Sequence, residues 1–266
     1  MRFTSLGSGS TGNALLVEGR EGSTTTRVLV DCGFSLRELT TRLRRTGFEV
    51  EQLDAVFITH EHGDHIGCAL TLARKHRVPL YMSRGTWYGI GSPAIEGERS
   101  SDGGELLRIV RDSVAVAIRD LELQPYTVPH DAKEPLQLTL ADGLHRLGVL
   151  TDAGSVTPYL LHRLQACDAL VLECNHDREM LATSSYPASL KARVGGRWGH
   201  LSNDTAAEIL AQCLHDGLQH LVAAHLSEQN NKPELASHAL AQACGASTRD
   251  IIVATATHGF DWLAIR

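Results

Sequence analysis

The stretch Thr59-His60-Glu61-His62-Gly63-Asp64-His65 constrains this chain more than any other. It sets three histidines and one aspartate together, directly after the apolar run Ala55-Val56-Phe57-Ile58. That run is short and rich in β-formers, so it reads as a buried strand. The histidines then fall on the loop at the strand's C-terminal end, where α/β architectures usually build their sites. Imidazole and carboxylate together suit zinc, manganese or iron. A single catalytic metal keeps a coordination position open for water, so four such side chains exceed what one ion needs. The spacing points to two ions, with His60 and His62 serving one and Asp64 and His65 the other. The plain alternative is a solvated, histidine-rich turn, and the position directly after a strand argues against it.

A chain of 266 residues, 42% hydrophobic and 21% charged, can bury a substantial core as one large domain or two small ones. Its net charge of −6 gives no general attraction to nucleic acid. Any polyanion would need a local patch and bound metal. Six cysteines (Cys32, Cys68, Cys167, Cys174, Cys213 and Cys244) form no C-x-x-C pair. In a chain this size they read as reduced thiols, which predicts a cytoplasmic protein. No apolar run is long enough to span a membrane, and no secretory apolar region follows Met1. No membrane contact is expected.

Residues 3–6 read as a short strand running into Gly7-Ser8-Gly9-Ser10-Thr11-Gly12-Asn13. Such a loop is either a flexible turn or one whose N–H groups and hydroxyls approach a phosphate. It is not a Walker A loop, because no Gly-Lys-Ser/Thr follows. Residues 13–18 and 27–31 read as strands around a polar turn. Ser35-Leu36-Arg37-Glu38 has the form of a capping box and opens a helix that Gly47 ends. After the histidine loop, a continuous helix is expected over 64–76, with Ile66, Leu70 and Ala73 inward. Residues 79–82 form a buried strand and 89–104 a surface loop. From 105 to 150 the pattern turns to β, at 114–118, 121–128, 136–140 and 145–150, which predicts a second sheet. Helices follow at 160–166, 205–215 and 233–243, and strands at 169–172, 221–224, 251–254 and 260–265. With no fixed-period repeat, these blocks argue for one αββα domain over residues 1–266.

T-H-E-H-G-D-H resembles the signature of the metallo-β-lactamase fold hydrolases. The resemblance implies an α/β (α+β) four-layer αββα sandwich with a dinuclear site between the sheet edges. It also implies a further His, an Asp and a last His as ligands. Three strand ends offer these in order: His130 in V-P-H-D, Asp152 in L-T-D-A-G and His225 in A-H-L-S-E-Q-N-N. By resemblance, His60, His62 and His130 hold one ion, Asp64, His65 and His225 the other, and Asp152 bridges them. The cofactors would be two divalent metal ions, zinc or manganese, with iron also compatible. His145, His162, His215, His220 and His238 have no partner pattern and are expected to be surface or structural residues.

Gly199-His200-Leu201-Ser202 resembles the G-H-S-T segment of the tRNase Z and phosphonate-pathway phosphodiesterase branch. There the His faces the scissile phosphate and can protonate the leaving oxygen, so His200 is the expected general acid. Glu173 looks like the carboxylate that orients it, and such a pair keeps the ring protonated. Asp64 counts as both ligand and catalytic residue. The expected substrate contacts are Ser8, Ser10, Asn13, His176 and Arg197. Arg197 lies with Lys191, Arg193 and Trp198 in a stretch suited to a nucleic-acid strand. Nearly the whole chain is similar to the YycJ/WalJ-like group, through G-S-G-S-T-G-N, E-C-N-H-D, G-H-L-S-N and A-H-L-S-E-Q-N-N. That similarity implies a 5′–3′ exonuclease with DNA as its substrate.

The departures are the acidic net charge and the absence of a tRNase Z arm or a β-CASP insertion. The competing readings are a small-molecule or cyclic-phosphate phosphodiesterase, a thioesterase or lactonase on the same fold, and a non-catalytic module. The G-H-L-S segment argues against the thioesterase, and the complete ligand set against the non-catalytic module. His62 argues against a flavodiiron oxidase, which carries Glu there. Native metal, cleavage polarity and oligomeric state stay open at this point.

Overall fold

Strand-forming segments pair into two seven-stranded sheets in the computed structural model, which describes residues 1–95 and 97–266. The first sheet runs in the order β14 (Phe260–Ala264), β1 (Arg2–Gly7), β2 (Ala14–Glu21), β3 (Thr24–Val30), β4 (Ala55–Phe57), β5 (Leu80–Ser83) and β6 (Leu107–Val110). The second runs β13 (Ile252–Val253), β12 (His220–Ala224), β11 (Ala169–Glu173), β10 (Arg146–Leu150), β9 (Leu136–Ala141), β8 (Leu121–Thr127) and β7 (Val116–Ile118). Strands β3 to β6 are parallel, and so are β10 to β13. The remaining pairs are antiparallel. Each sheet therefore has a parallel half whose C-terminal ends can carry a site.

Successive residues on a strand face opposite sides, so a strand buried on both faces is apolar throughout. In β4, Ala55 and Phe57 enter the core between the sheets, with Phe3, Val17, Val28, Leu138, Val149 and Val171. Val56 points the other way, into a second core with Leu29, Leu39, Leu43, Leu72 and Leu80. That outer core seats α1 (Leu36–Arg45), α3 (Ala69–His76) and α4 (Arg84–Gly89) on the first sheet. A third core, with Leu160, Leu164, Leu172, Ile209, Leu210 and Leu240, seats α5 (Pro158–Leu164), α8 (Asn203–Cys213) and α9 (Pro233–Cys244) on the second. Three cores between four layers make the expected αββα sandwich.

Local departures from expectation have physical causes. The expected helix over 64–76 is broken into α2 (Gly63–Ile66) and α3, because Gly67 adopts φ 32°. A Cβ there would sit 2.3 Å from the Cys32 carbonyl oxygen, so the chain packs directly on the end of the β3 segment. The break rotates the inward face of α3 to Ala69, Leu72 and Ala73. At α1, the Ser35 hydroxyl accepts from the Glu38 N–H, but the Glu38 carboxylate pairs with Arg42 at 2.7 Å, so only half of the capping box forms. β6 was not anticipated; it is a half-buried edge strand of the first sheet, without the alternation that marks an amphipathic strand. α6 (Arg178–Thr183) and α7 (Ala188–Val194) were also not anticipated; both are short and mostly exposed.

Gly33 shows how tightly the histidine loop is seated. A Cβ on Gly33 would lie 1.7 Å from the Asp64 carbonyl oxygen. Gly33→Ala is expected to destabilise the fold by about 3 kcal/mol, the upper range for overpacking. Denaturant unfolding measures this, and an unchanged midpoint would mean that the loop tolerates displacement.

Candidate metal centre

β4 delivers Thr59 and His60 to the edge of the first sheet, and the chain then turns at once into α2. His62 stands at the helix N-cap and Asp64 and His65 in its first turn. The turn is held from behind by Asp31, just past the end of β3. The Thr59 N–H and hydroxyl both donate to the Asp31 carboxylate at 2.9 Å, and His65 Nδ1 donates to it at 2.7 Å. Asp31 has φ 63°, a left-handed conformation unusual for a non-glycine residue and common at sites. His225, after β12, shares this conformation at φ 54°, and its N–H donates to the Ser8 hydroxyl at 2.9 Å.

The second sheet supplies the facing groups. His130 follows β8, Asp152 follows β10, Glu173 ends β11 and His225 follows β12. The ring or carboxylate atoms of His60, His62 and His130 lie within 4.8 Å of one another, as do those of Asp64, His65 and His225. His60, His65 and Asp152 form a third such group, joining the two. All but His62 and Asp64 are buried. Beside them opens a cavity of about 440 Å³, lined by His62, Asp64, Asp152, Arg193, His200 and His225 among others.

Neighbouring contacts decide which ring nitrogens carry lone pairs. His130 Nδ1 donates to the Gly199 carbonyl at 2.9 Å, which leaves Nε2 as the free acceptor. The Thr59 hydroxyl gives its proton to Asp31 and so accepts from His60 Nδ1 at 3.0 Å. The freed His60 Nε2 and His130 Nε2 then lie 3.0 and 3.3 Å from the same atom, His62 Nδ1. Bare lone pairs this close repel, so either His62 Nδ1 carries a proton or a cation lies among them. Histidines anchored through the other nitrogen are typical of metal ligands. Asp152 Oδ2 is buried against His65 Nε2 at 3.1 Å and, among the described residues, makes no well-aligned hydrogen bond, so its charge rests on the surrounding histidines. The donor set fits divalent metal binding.

The charges follow the same geometry. Burial pushes the His60 imidazole well below its ordinary pKa, and the neighbouring His65 adds to this. Burial opposes charge on His65, but the Asp152 and Asp31 carboxylates outweigh it and hold its pKa up. For Asp152, burial is outweighed by the surrounding histidines, so its carboxyl stays well below the usual range. His200 lies 2.6 Å from Glu173 through Nδ1, and this carboxylate outweighs burial and raises the imidazole's pKa.

A sequence profile of the β-lactamase superfamily domain matches residues 26–226. The chain belongs to the metallo-β-lactamase superfamily. The exodeoxyribonuclease YycJ of Bacillus anthracis is 33% identical over 242 residues, covering 91% of this chain and 88% of that protein. The exodeoxyribonuclease WalJ of Streptococcus pneumoniae strain D39 is 32% identical over 235 residues, covering 88% and 85%. Among solved structures, the metallo-β-lactamase fold protein YhfI of Bacillus subtilis superposes with a TM-score of 0.72 at 18% identity over 98% of both chains, a likeness of fold.

Within this superfamily hydrolase, the seven side chains expected as ligands converge on one sandwich edge, and the expected substrate contacts divide. Ser10 lines the cavity and His176 lines a neighbouring one. Ser8 and Asn13 are 6% and 4% exposed and lie outside the lining of that cavity. Ser8 accepts from the His225 N–H, and Asn13 Nδ2 donates to the Gly9 and Asp64 carbonyls at 3.1 and 3.2 Å. Through these bonds the glycine-rich loop is tied to the histidine loop and to the end of β12. Arg197 is exposed, lies over the Trp198 ring at 5.1 Å, and is outside the lining of the cavity.

Two acidic residues of the superfamily site escaped the sequence reading. From the sequence Asp31 reads only as a strand end, and an Asp one strand over from the histidine loop is the available signal. Asp131 lies 3.5 Å from His130 Nε2 and pairs with Arg193 at 2.6 Å. Its adjacency to His130 was the only clue. His145, His215 and His220 are satisfied by Asp142, the Cys167 carbonyl and the Ala264 carbonyl respectively, in keeping with structural roles.

Proposed function

We propose that this protein is a dinuclear metal phosphodiesterase that degrades DNA as a cytoplasmic 5′–3′ exonuclease. The observation that carries the reading is the Glu173–His200 pair beside the ligand cluster. Two relatives named as exodeoxyribonucleases, aligned over most of both chains, support the substrate class. His60, His62 and His130 would hold one ion and Asp64, His65 and His225 the other, with Asp152 between them. Zinc or manganese suits these donors. When bound, two such ions lower the pKa of a shared water and stabilise charge building on the phosphoryl oxygens.

The chain's own residues supply the rest. His200, whose pKa Glu173 raises, would donate its proton to the leaving oxygen. Glu173, His200, Asp152 and His225 also group within 4.8 Å, which would admit His200 as a ligand. The hydrogen bonds of Glu173 favour the donor role instead. Glu173 Oε2 accepts from the Ala153 and Leu201 N–H groups at 2.8 and 3.2 Å, and Oε1 accepts from His200. A carboxylate so engaged orients an imidazole rather than binding an ion. Arg193 on the cavity wall is paired with Asp131 at 2.6 Å, so bound metal would supply the positive charge that a chain of net charge −6 lacks there.

Protein loaded with Mn²⁺ or Zn²⁺ should therefore cleave a DNA strand and bis(p-nitrophenyl) phosphate. It should leave a β-lactam and S-lactoylglutathione intact. A strand labelled at its 5′ end should release labelled mononucleotide first. Efficient thioester hydrolysis without phosphodiester cleavage would overturn the assignment.

A further inference from the structure

His200 lines two cavities. One adjoins the ligand cluster. The other, of about 520 Å³, is lined by His176, Arg178, Lys191, Ser202 and Thr205 among others. No acidic side chain belongs to its lining, although the chain carries 31 Asp and Glu residues against 25 Lys and Arg. His176 is 4% exposed, and its Nδ1 has no hydrogen-bond partner among the described residues. A buried donor or acceptor left unpaired is unfavourable unless something else reaches it. Lys191 Nζ donates to the Ala182 carbonyl at 2.7 Å, and among the described residues it meets no carboxylate. The Arg178 guanidinium is held in place by Ser202 Oγ and Thr205 Oγ1 at 3.1 and 3.2 Å, with an exposed ion pair to Asp204. Ser202 caps α8 and Thr205 stands in its first turn, so the positive end of an 11-residue helix adds to the same field.

We infer that this second cavity is a phosphate subsite, which takes the 5′-phosphate of the nucleotide whose 3′-oxygen leaves at His200. The inference rests on the phosphodiesterase reading above. In that reaction water adds to phosphorus, the P–O3′ bond breaks, and the proton from His200 goes to O3′. The nucleoside released on that side carries its own 5′-phosphate. His200 stands between the two cavities, so the departing nucleotide extends from the first into the second. There the phosphate oxygens accept from Lys191, Arg178 and His176, as charge-assisted bonds where the donor is ionised. Anchoring the terminal phosphate places the first internucleotide bond at the metal centre, which is what cleavage from the end requires.

The test compares oligonucleotides of one sequence bearing a 5′-phosphate or a 5′-hydroxyl, with Mn²⁺-loaded protein. The phosphorylated strand should be cleaved with a kcat/KM about tenfold higher or more, from hydrogen bonds to charged groups. Lys191→Ala should bring that ratio to about twofold or less, and Lys191→Arg should restore most of it. Thymidine 5′-monophosphate should bind metal-free protein about tenfold more weakly in Lys191→Ala, by calorimetric titration. Equal cleavage of the two strands by wild-type protein, or equal nucleotide binding by wild type and Lys191→Ala, would overturn the subsite. Hydrolysis of bis(p-nitrophenyl) phosphate separates the two readings. If wild-type protein cleaves it but ignores the 5′-phosphate, the subsite falls alone; if it cleaves no phosphodiester, both fall.

Discussion

Asp64→Ala and His65→Ala are each expected to lose bound metal and to lower phosphodiester hydrolysis by about 10³-fold or more, the several kcal/mol that a metal centre supplies. The two side chains stand in one helical turn and meet His225 from the opposite sheet. Removing either leaves the second ion short of a ligand. Fold should survive, because the three cores lie between the layers rather than at this edge. Asp31 keeps its bonds from Thr59 in both variants. Metal that binds only the folded state stabilises it, so a chelator should lower the wild-type melting temperature. The same chelator should move the melting temperature of Asp64→Ala much less. Normal metal content together with normal activity in both variants would sink the dinuclear assignment.

His200→Ala should instead keep its metal and lower kcat by about 10²–10⁴-fold, the contribution of a general acid. The loss should shrink on an ester with a nitrophenolate leaving group, which needs little protonation. Glu173→Gln should act in the same direction more mildly, and the double variant should be little worse than His200→Ala, since residues acting as a unit are not additive. The pH profile gives a further sign. Glu173 raises the His200 pKa, so the acid form persists to higher pH and is lost as pH rises through that raised value. Removing the carboxylate's charge lowers the pKa, and the alkaline limb of kcat should move to lower pH. A His200→Ala protein that loses a metal ion would make His200 a ligand. Equal slowing on activated and unactivated esters would make it a phosphate-binding residue.

His60, His62, Asp64 and His65 were legible because they follow an apolar run that reads as a buried strand, and His130, Asp152 and His225 because the resemblance asks for His, Asp and His in that order at later strand ends. Strand ends of parallel sheets meet at one edge, so residue types in order along the chain become neighbours in space. The supporting contacts were illegible for the converse reason. Asn13 belongs to a loop whose Gly/Ser composition suits a phosphate, and its hydrogen bond to the Asp64 carbonyl depends on the fold. The role of Asp31 depends on β3 and β4 lying side by side, a parallel pairing that sets Val30 against Phe57. The helix break at Gly67 depends on the Cys32 carbonyl. β6 belongs to the first sheet only because β5 offers it a free parallel edge.

By itself, then, the sequence determined the layer order and the strand-end chemistry of the histidine loop, and its resemblance to the family completed the set of seven side chains gathered at one edge. Their periodicity and residue types are local properties that any compact packing must respect. The tertiary structure alone decided which groups brace and which face the cavities, that Asp131 and Arg193 pair on the cavity wall, and that Lys191 and His176 share a cavity with His200. Those facts depend on contacts between segments far apart in the chain, where sequence spacing carries no information about distance.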